Sequence, residues 1–225
     1  MAKFLNRLRL PNLSATPSPT PVESEVWYET STGQVKFKGT TDSVSMQVGS
    51  RFADYATGRW YMTQTGMSTA TALVNNRCYA VPLVLPRVAA LSGTAVEVTT
   101  AFATTAGNLR VGIYGDSLRA PGNLISDFGQ VAATVGVKVY TNTYTFAPGW
   151  YWLVMAVQGA SGTVGQIRTV QGQHEYLGDS SATPTLNGNQ NTFYSDTGFS
   201  GALPSSFGAL AGLIAGPRFA VRFSA

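Results

Sequence analysis

Trp150-Tyr151-Trp152-Leu153-Val154-Met155-Ala156-Val157 carries no charged or amide side chain at either phase of a two-residue repeat. A strand with one wet face alternates apolar and polar residues, whereas a strand covered on both sides reads as a continuous apolar run. The stretch is therefore expected to be a central strand buried on both faces. One cover would be the core of a β-sandwich. The other is either a subunit interface or the protein's own loops.

Outward from this strand the chain keeps a β rhythm. Candidate strands recur at 59–64, 77–81, 84–90, 95–101, 109–114, 135–140, 150–158, 165–170 and 218–223. Turn clusters separate them: Ser92-Gly93, Ala106-Gly107-Asn108, Ala120-Pro121-Gly122-Asn123 and Ala147-Pro148-Gly149. The last strand alternates most cleanly, with Phe219, Val221 and Phe223 on a core face and Arg218, Ala220 and Arg222 on a wet or interfacial one. Many short strands at this spacing predict an antiparallel β-sandwich of jelly-roll type over residues 49–225. Residues 178–211 form a long Gly/Ser/Asn-rich connection, a length that points to a functional loop or one packed on a partner.

The N-terminal part is organised differently. Residues 3–10 bring four large apolar side chains, Phe4, Leu5, Leu8 and Leu10, beside Lys3, Arg7 and Arg9. Alternate prolines in 14–22 favour an extended spacer. Residues 1–22 are thus expected to be an assembly arm and linker, because an apolar segment on a stiff tether gains by docking on another chain. Residues 23–48 hold a β-hairpin signal. Trp27 and Tyr28 lie in the first strand, Thr30-Ser31-Thr32-Gly33 forms the turn, and Val35 and Phe37 alternate with Lys36 and Lys38 in the return strand.

Composition narrows the function. Of 225 residues only 12% are charged, against 44% hydrophobic and 24 glycines. That suits either a surface partly covered by copies or partners, or a Ser/Thr-rich solvent face. The net charge is +4, but the cations are scattered, which argues against nucleic-acid binding. No apolar run is long enough to span a membrane, and the first residues do not make a signal peptide; synthesis in a cytoplasm is the expectation. Cys78 is the one cysteine, expected as an inert buried thiol.

The reading is non-enzymatic, with no cofactor or metal. His174 is the one histidine, and Gly178 stands where a second metal-binding histidine would be needed. Phosphate-binding, dinucleotide and nucleophile-elbow motifs are missing. Glu97, Asp116, Asp127, Glu175, Asp179 and Asp196 remain as carboxylates. Asp116 and Asp127 could make a glycosidase pair, but turn capping explains them more simply. Trp27, Trp60, Trp150 and Trp152 are candidates for a sugar platform, weighed against the usual core role of strand tryptophans.

Two stretches resemble virion proteins of tailed bacteriophages. Leu10-Pro11-Asn12-Leu13, the prolines, and Val26 to Lys36 are similar to the attachment hairpin of minor tail and tail-fibre proteins. Leu109-Arg110-Val111-Gly112-Ile113-Tyr114, then Pro121-Gly122, then Pro148-Gly149-Trp150-Tyr151-Trp152-Leu153 are similar to the jelly-roll domains at the distal end of such proteins. The resemblance implies a place on the virion surface, often as a homotrimer and often in host attachment; the N-terminal arm points to contacts with other phage structural proteins, and a host cell-surface glycan is a candidate ligand. A capsid decoration protein and a glycan-binding or glycan-degrading module are the rival expectations.

Overall fold

The computed structural model describes residues 12–13, 26–29, 34–38, 43–46, 56–64, 66–72, 74–85, 88–162, 165–171, 192–195 and 199–224. These residues contain strands and no helix. The chain divides into two compact units, the second covering Ala56–Val84, Ala90–Thr145 and Trp150–Ala225.

The first unit contains a four-stranded sheet of β1 (Asn12–Leu13), β2 (Val26–Glu29), β3 (Gln34–Lys38) and β4 (Ser43–Met46), in that order. The predicted hairpin is β2–β3, antiparallel, with Trp27 opposite Lys36, Tyr28 opposite Val35 and Val26 opposite Phe37. Its turn, the arm residues Phe4, Leu5, Leu8 and Leu10, and the proline spacer lie outside the described residues. The hairpin is not alone. β4 pairs with β3, and β1 runs parallel to β2. Asn12–Leu13, placed in the arm by sequence, is thus part of this sheet.

The second unit is built from β5 (Trp60–Met62), β6 (Met67–Ala72), β7 (Cys78–Leu85), β8 (Ala89–Thr100), β9 (Asn108–Asp116), β10 (Pro121–Ala132), β11 (Gly136–Phe146), β12 (Gly149–Gln158), β13 (Gln166–Gln171), β14 (Thr192–Ser195), β15 (Gly212–Ile214), β16 (Gly216–Pro217) and β17 (Ala220–Ser224). They form two antiparallel sheets. The six-stranded sheet has the order β10-β9-β12-β7-β14-β15; the seven-stranded one runs β16-β13-β8-β17-β5, with β11 on β8 and β6 on β13.

β12 lies between β9 and β7, and all its residues from Trp152 to Val157 are fully buried. One of its faces joins Trp152, Val154 and Ala156 to Tyr114, Cys78 and Ala80. The cover is the protein's own chain. Leu203 and Phe207 pack into this cluster, with Phe193 and Phe199 at its margin. Backbone hydrogen bonds hold the covering segment: Leu124 N–H donates to Ser205 O (2.9 Å) and Phe207 N–H to Gly122 O (3.1 Å). Tyr114 Oη donates to Pro204 O (2.7 Å), and Phe207 meets the Tyr114 ring edge-on at 5.9 Å. Gly112 makes the approach possible, because a Cβ there would sit 2.5 Å from Leu203 Cδ1 and 2.8 Å from Ser126 O.

Local boundaries differ from the sequence reading in several places: β6 lies where no strand was expected, β14 falls inside the 178–211 connection, and three further differences have a local cause. Residues 84–90 are not one strand: β7 ends at Leu85 and β8 starts at Ala89. Ser92-Gly93 is not a turn; β8 runs through it. The third is Ala120-Pro121-Gly122-Asn123, where Pro121 opens β10 and the turn falls at Ser117–Ala120 instead. Proline is tolerated there as the first strand residue. The turn places Leu118 and Arg119 at φ 54° and 66°, the mirror-image geometry that fits the twist of a hairpin. β10 itself shows three register shifts against β9, which break the two-residue alternation.

Candidate functional site

Asp116 and Asp127, the carboxylate pair weighed from sequence, are engaged in holding the fold. Asp116 accepts from Trp152 Nε1 (2.9 Å) and from Arg119 N (3.1 Å) at the head of the turn. Asp127 accepts from Arg110 Nε (2.7 Å), Gly129 N (2.8 Å) and Leu203 N (3.1 Å), tying two strands to the covering segment. Cys78 is completely buried, and desolvation pushes its thiol pKa far up, so it stays protonated. Burial likewise raises the Tyr114 phenol, which serves as a donor to backbone. His174, Glu175, Asp179 and Asp196 lie outside the described residues. Among the described residues no group of three or more His, Cys, Asp or Glu side chains comes together to hold a metal.

The four tryptophans separate. Trp152 is core. Trp150 has Arg119 over its ring at 5.3 Å. Trp27 is placed only by its register. Trp60 is 38% exposed and lies on the outer face of the seven-stranded sheet, with Arg222 5.2 Å from its ring centre.

This outer face carries an arrangement that the sequence did not reveal. Registers set its rows. β17 lies between β5 and β8, so Trp60, Arg222 and Gly93 stand side by side, and Met62, Ala220 and Ala95 form the next row. Beyond them come Arg218, Glu97 and Arg168. The central strands present Gly93, Ala95 and Ala220, too small to fill the face. At Ala95 and Ala220 lies a concavity of about 170 Å³, lined also by Met62, Val137, Glu97, Arg168 and Arg218. Trp60 stands outside this lining and packs on Gly93, where a Cβ would stand 3.0 Å from Trp60 Cη2.

The charges in the concavity are unequally matched. Arg168 grips Glu97 through two bonds, Nε to Oε2 at 3.0 Å and Nη2 to Oε1 at 3.2 Å. These hydrogen bonds hold the Glu97 pKa below its ordinary value. Arg218 donates its backbone N–H to Arg168 O (2.9 Å), but its side-chain Nε is shielded from solvent and has no hydrogen-bond partner. Arg218 and Arg222 were legible as the polar phase of the last strand. What they face depends on pairings between residues 60–62, 90–97 and 220–224, which no local pattern encodes.

These features define a mostly-β protein with a small N-terminal sheet and a larger body of two antiparallel sheets. Comparison with protein-family models, with curated proteins and with solved structures returns no match.

Proposed function

We propose that this chain is a structural component of a bacteriophage particle, a minor tail or tail-fibre-like protein that binds rather than catalyses. In this reading the N-terminal arm and the β1–β4 sheet attach the protein to other phage structural proteins. The body, a jelly-roll-like sandwich of the two antiparallel sheets, faces outward as a homotrimer and contributes to host attachment. The observation that carries the reading is the division of the chain into a small hairpin-based sheet and a separate, larger body, an attachment piece followed by a presenting piece. The sandwich is supported by a second apolar layer. Leu91, Val96, Val98, Ile167, Phe219, Val221 and Phe223 of the seven-stranded sheet or its links are buried, as are Val111, Ile113, Leu153, Met155 and Val157 of the six-stranded one. A non-catalytic body is supported by the structural engagement of Asp116 and Asp127.

Gold-labelled antibody against the chain, imaged on intact particles, tests the proposal. Label at the tail is expected. Label on the head would replace the tail assignment with capsid decoration, and purified particles free of the chain would overturn a virion role. The arm has its own test. A chain lacking residues 1–11, which keeps β1, should melt as the parent does yet fail to enter particles.

A further inference from the structure

We infer that the seven-stranded sheet binds a second copy of this chain edge to edge, β11 of one copy adding to β6 of the next. The inference deepens the homotrimer of the proposed function and rests on that reading for the number of copies.

A strand at the edge of a sheet offers a row of unpaired N–H and C=O groups, and native proteins shorten, bend, charge or cover such strands to keep other chains off. Most edges of the body are treated in this way. β10 carries three register shifts against β9 and is bonded to the covering segment through Leu124 N–H and Gly122 O. β5 and β15 have three residues each, and β16 has two. β11 is different. Its 11 residues extend for about 36 Å at about 3.3 Å per residue. β17 occupies one flank of β8 and β11 pairs with the other; among the described residues β11 has no further strand partner. It holds no proline, and its single charge, Lys138, is tied back to Thr134 Oγ1 (2.7 Å). Val137, Val139, Thr141 and Thr143 fill its outer phase, all exposed and all β-branched, the shape that pairs best with another strand.

The other end of the sheet is complementary. β6 pairs with β13 along its whole length, from Met67 opposite Gln171 to Ala72 opposite Gln166, and among the described residues no strand lies on its other flank. Ala70 stands opposite Arg168 and Ser68 lines the concavity, which puts Ser68, Ala70 and Ala72 on the outer face. Thr69 and Thr71 point the other way, each bonded to Thr169 Oγ1 at 2.8 Å. The outer phase of β6 is therefore small where that of β11 is bulky, and β6 has neither a charge nor a proline. Laid side by side, Val137 and Val139 cover the small residues of β6, and no like charges meet.

Strand direction agrees. β6 is antiparallel to β13 and β13 to β8, and β11 joins the same antiparallel sheet, so β11 and β6 run in opposite senses at its two ends. Rotation about an axis along the strands brings β11 of one copy against the next β6 antiparallel, the sense of the pairings within the body. A contact between unlike edges repeats from copy to copy and closes as a ring. Two β11 strands paired about a two-fold axis would leave β6 bare in both copies.

The test uses the full chain, whose own cysteine, Cys78, is completely buried. Val139→Cys and Ala70→Cys are made singly and together and treated with a short bis-maleimide, which reaches both opposed and diagonal cross-strand neighbours, roughly 4.5–8 Å apart. On denaturing gels the double variant should give covalent dimers and trimers, and each single variant only monomer. Sedimentation equilibrium of the parent should give the mass of three chains. Val139→Lys should weaken association by about tenfold or more, and adding Ala70→Glu to it should recover most of that loss by setting opposite charges across the contact. Gln130→Lys places the same charge on β10 of the other sheet and should change nothing. Circular dichroism melts establish that each variant is folded. Head-to-tail cross-links in a ring of another size would uphold the contact and refute the trimer of the proposed function. The inference falls if the parent sediments as one chain, if either single cysteine variant cross-links to itself, if the double variant stays monomeric on the gel, or if Gln130→Lys dissociates the oligomer as Val139→Lys does. None of these outcomes bears on whether the chain is in the particle, which the labelling experiment decides.

Discussion

Replacing Trp152 interrogates the whole architecture of the six-stranded sheet. The side chain is completely buried, its indole N–H donates to Asp116 Oδ1 at 2.9 Å, and its ring meets Phe193 at 5.4 Å. Trp152→Ala removes the ring and leaves a cavity that Val154, Tyr114 and the covering segment cannot fill, which costs about 3–5 kcal/mol. Trp152→Phe separates the contributions. It keeps most of the apolar volume but deletes the bond to a carboxylate, and because Asp116 is exposed and can turn to water, the loss should be at the low end for a charge-assisted bond, about 1.5–2 kcal/mol. For a chain of this size each kcal/mol moves the melting temperature by roughly 2–4 °C, so the alanine variant should melt at least about 6 °C lower. Urea and thermal unfolding followed by far-UV circular dichroism, which does not depend on the deleted fluorophore, give both values. If the two variants are equally destabilised, packing contributes nothing beyond the N–H. Parent-like melting of Trp152→Ala would refute the central-strand assignment itself.

Other substitutions probe separate parts of the fold. Leu118→Asn with Arg119→Gly replaces two residues held at positive φ by the types that favour that turn, and should raise stability by about 1–2 kcal/mol in urea unfolding. Gly112→Ala drives a methyl against Leu203 and Ser126 and should destabilise by about 1–3 kcal/mol. Leu203→Ala should cost about 2–5 kcal/mol, and the double variant should cost less than the sum, a coupling that only direct contact produces. Glu97→Gln should cost no more than about 1 kcal/mol at neutral pH, since both side chains of the pair are more than a third exposed. The folded Glu97 pKa is depressed, so its contribution is present above the ordinary value of 4.5 and fades as pH falls through the lowered one; parent and variant should converge in acid.

The elements legible in the sequence were those whose environment is uniform along the strand. β12 is covered on both faces and reads apolar throughout; β17 alternates because one side is core and the other is the outer face of its sheet. β10 was missed for opposite reasons. Its Pro121-Gly122-Asn123 start imitates a turn, and the true turn has Leu118-Arg119 at its tip, residues with no turn preference. Gly93 looked like punctuation because the partner that requires a small residue there, Trp60, is remote in sequence. The concavity on the outer face was hidden for the same reason. Its small floor residues and its arginines were each visible, but their meeting on one face depends on strand pairing over well more than a hundred residues. The hairpin residues Trp27, Tyr28, Val35 and Phe37 stand in the β2–β3 pair that the alternation pointed to.

The cover over β12 also has a cost in time. The face formed by Trp152, Val154, Ala156 and Tyr114 is closed by Leu203 and Phe207, which leave the ribosome roughly fifty residues later, about 3–10 s at 5–20 residues per second. β17 comes later still, yet it lies inside its sheet, between β8 and β5. Neither sheet can be completed until the final stretch has been made, so an apolar face and an unfilled strand slot stay open throughout synthesis. Contacts this distant in sequence slow folding. A nascent chain in that condition depends on dilution or chaperones, and ribosome stalling between residues 158 and 199 should send it to aggregation rather than to a partly folded body.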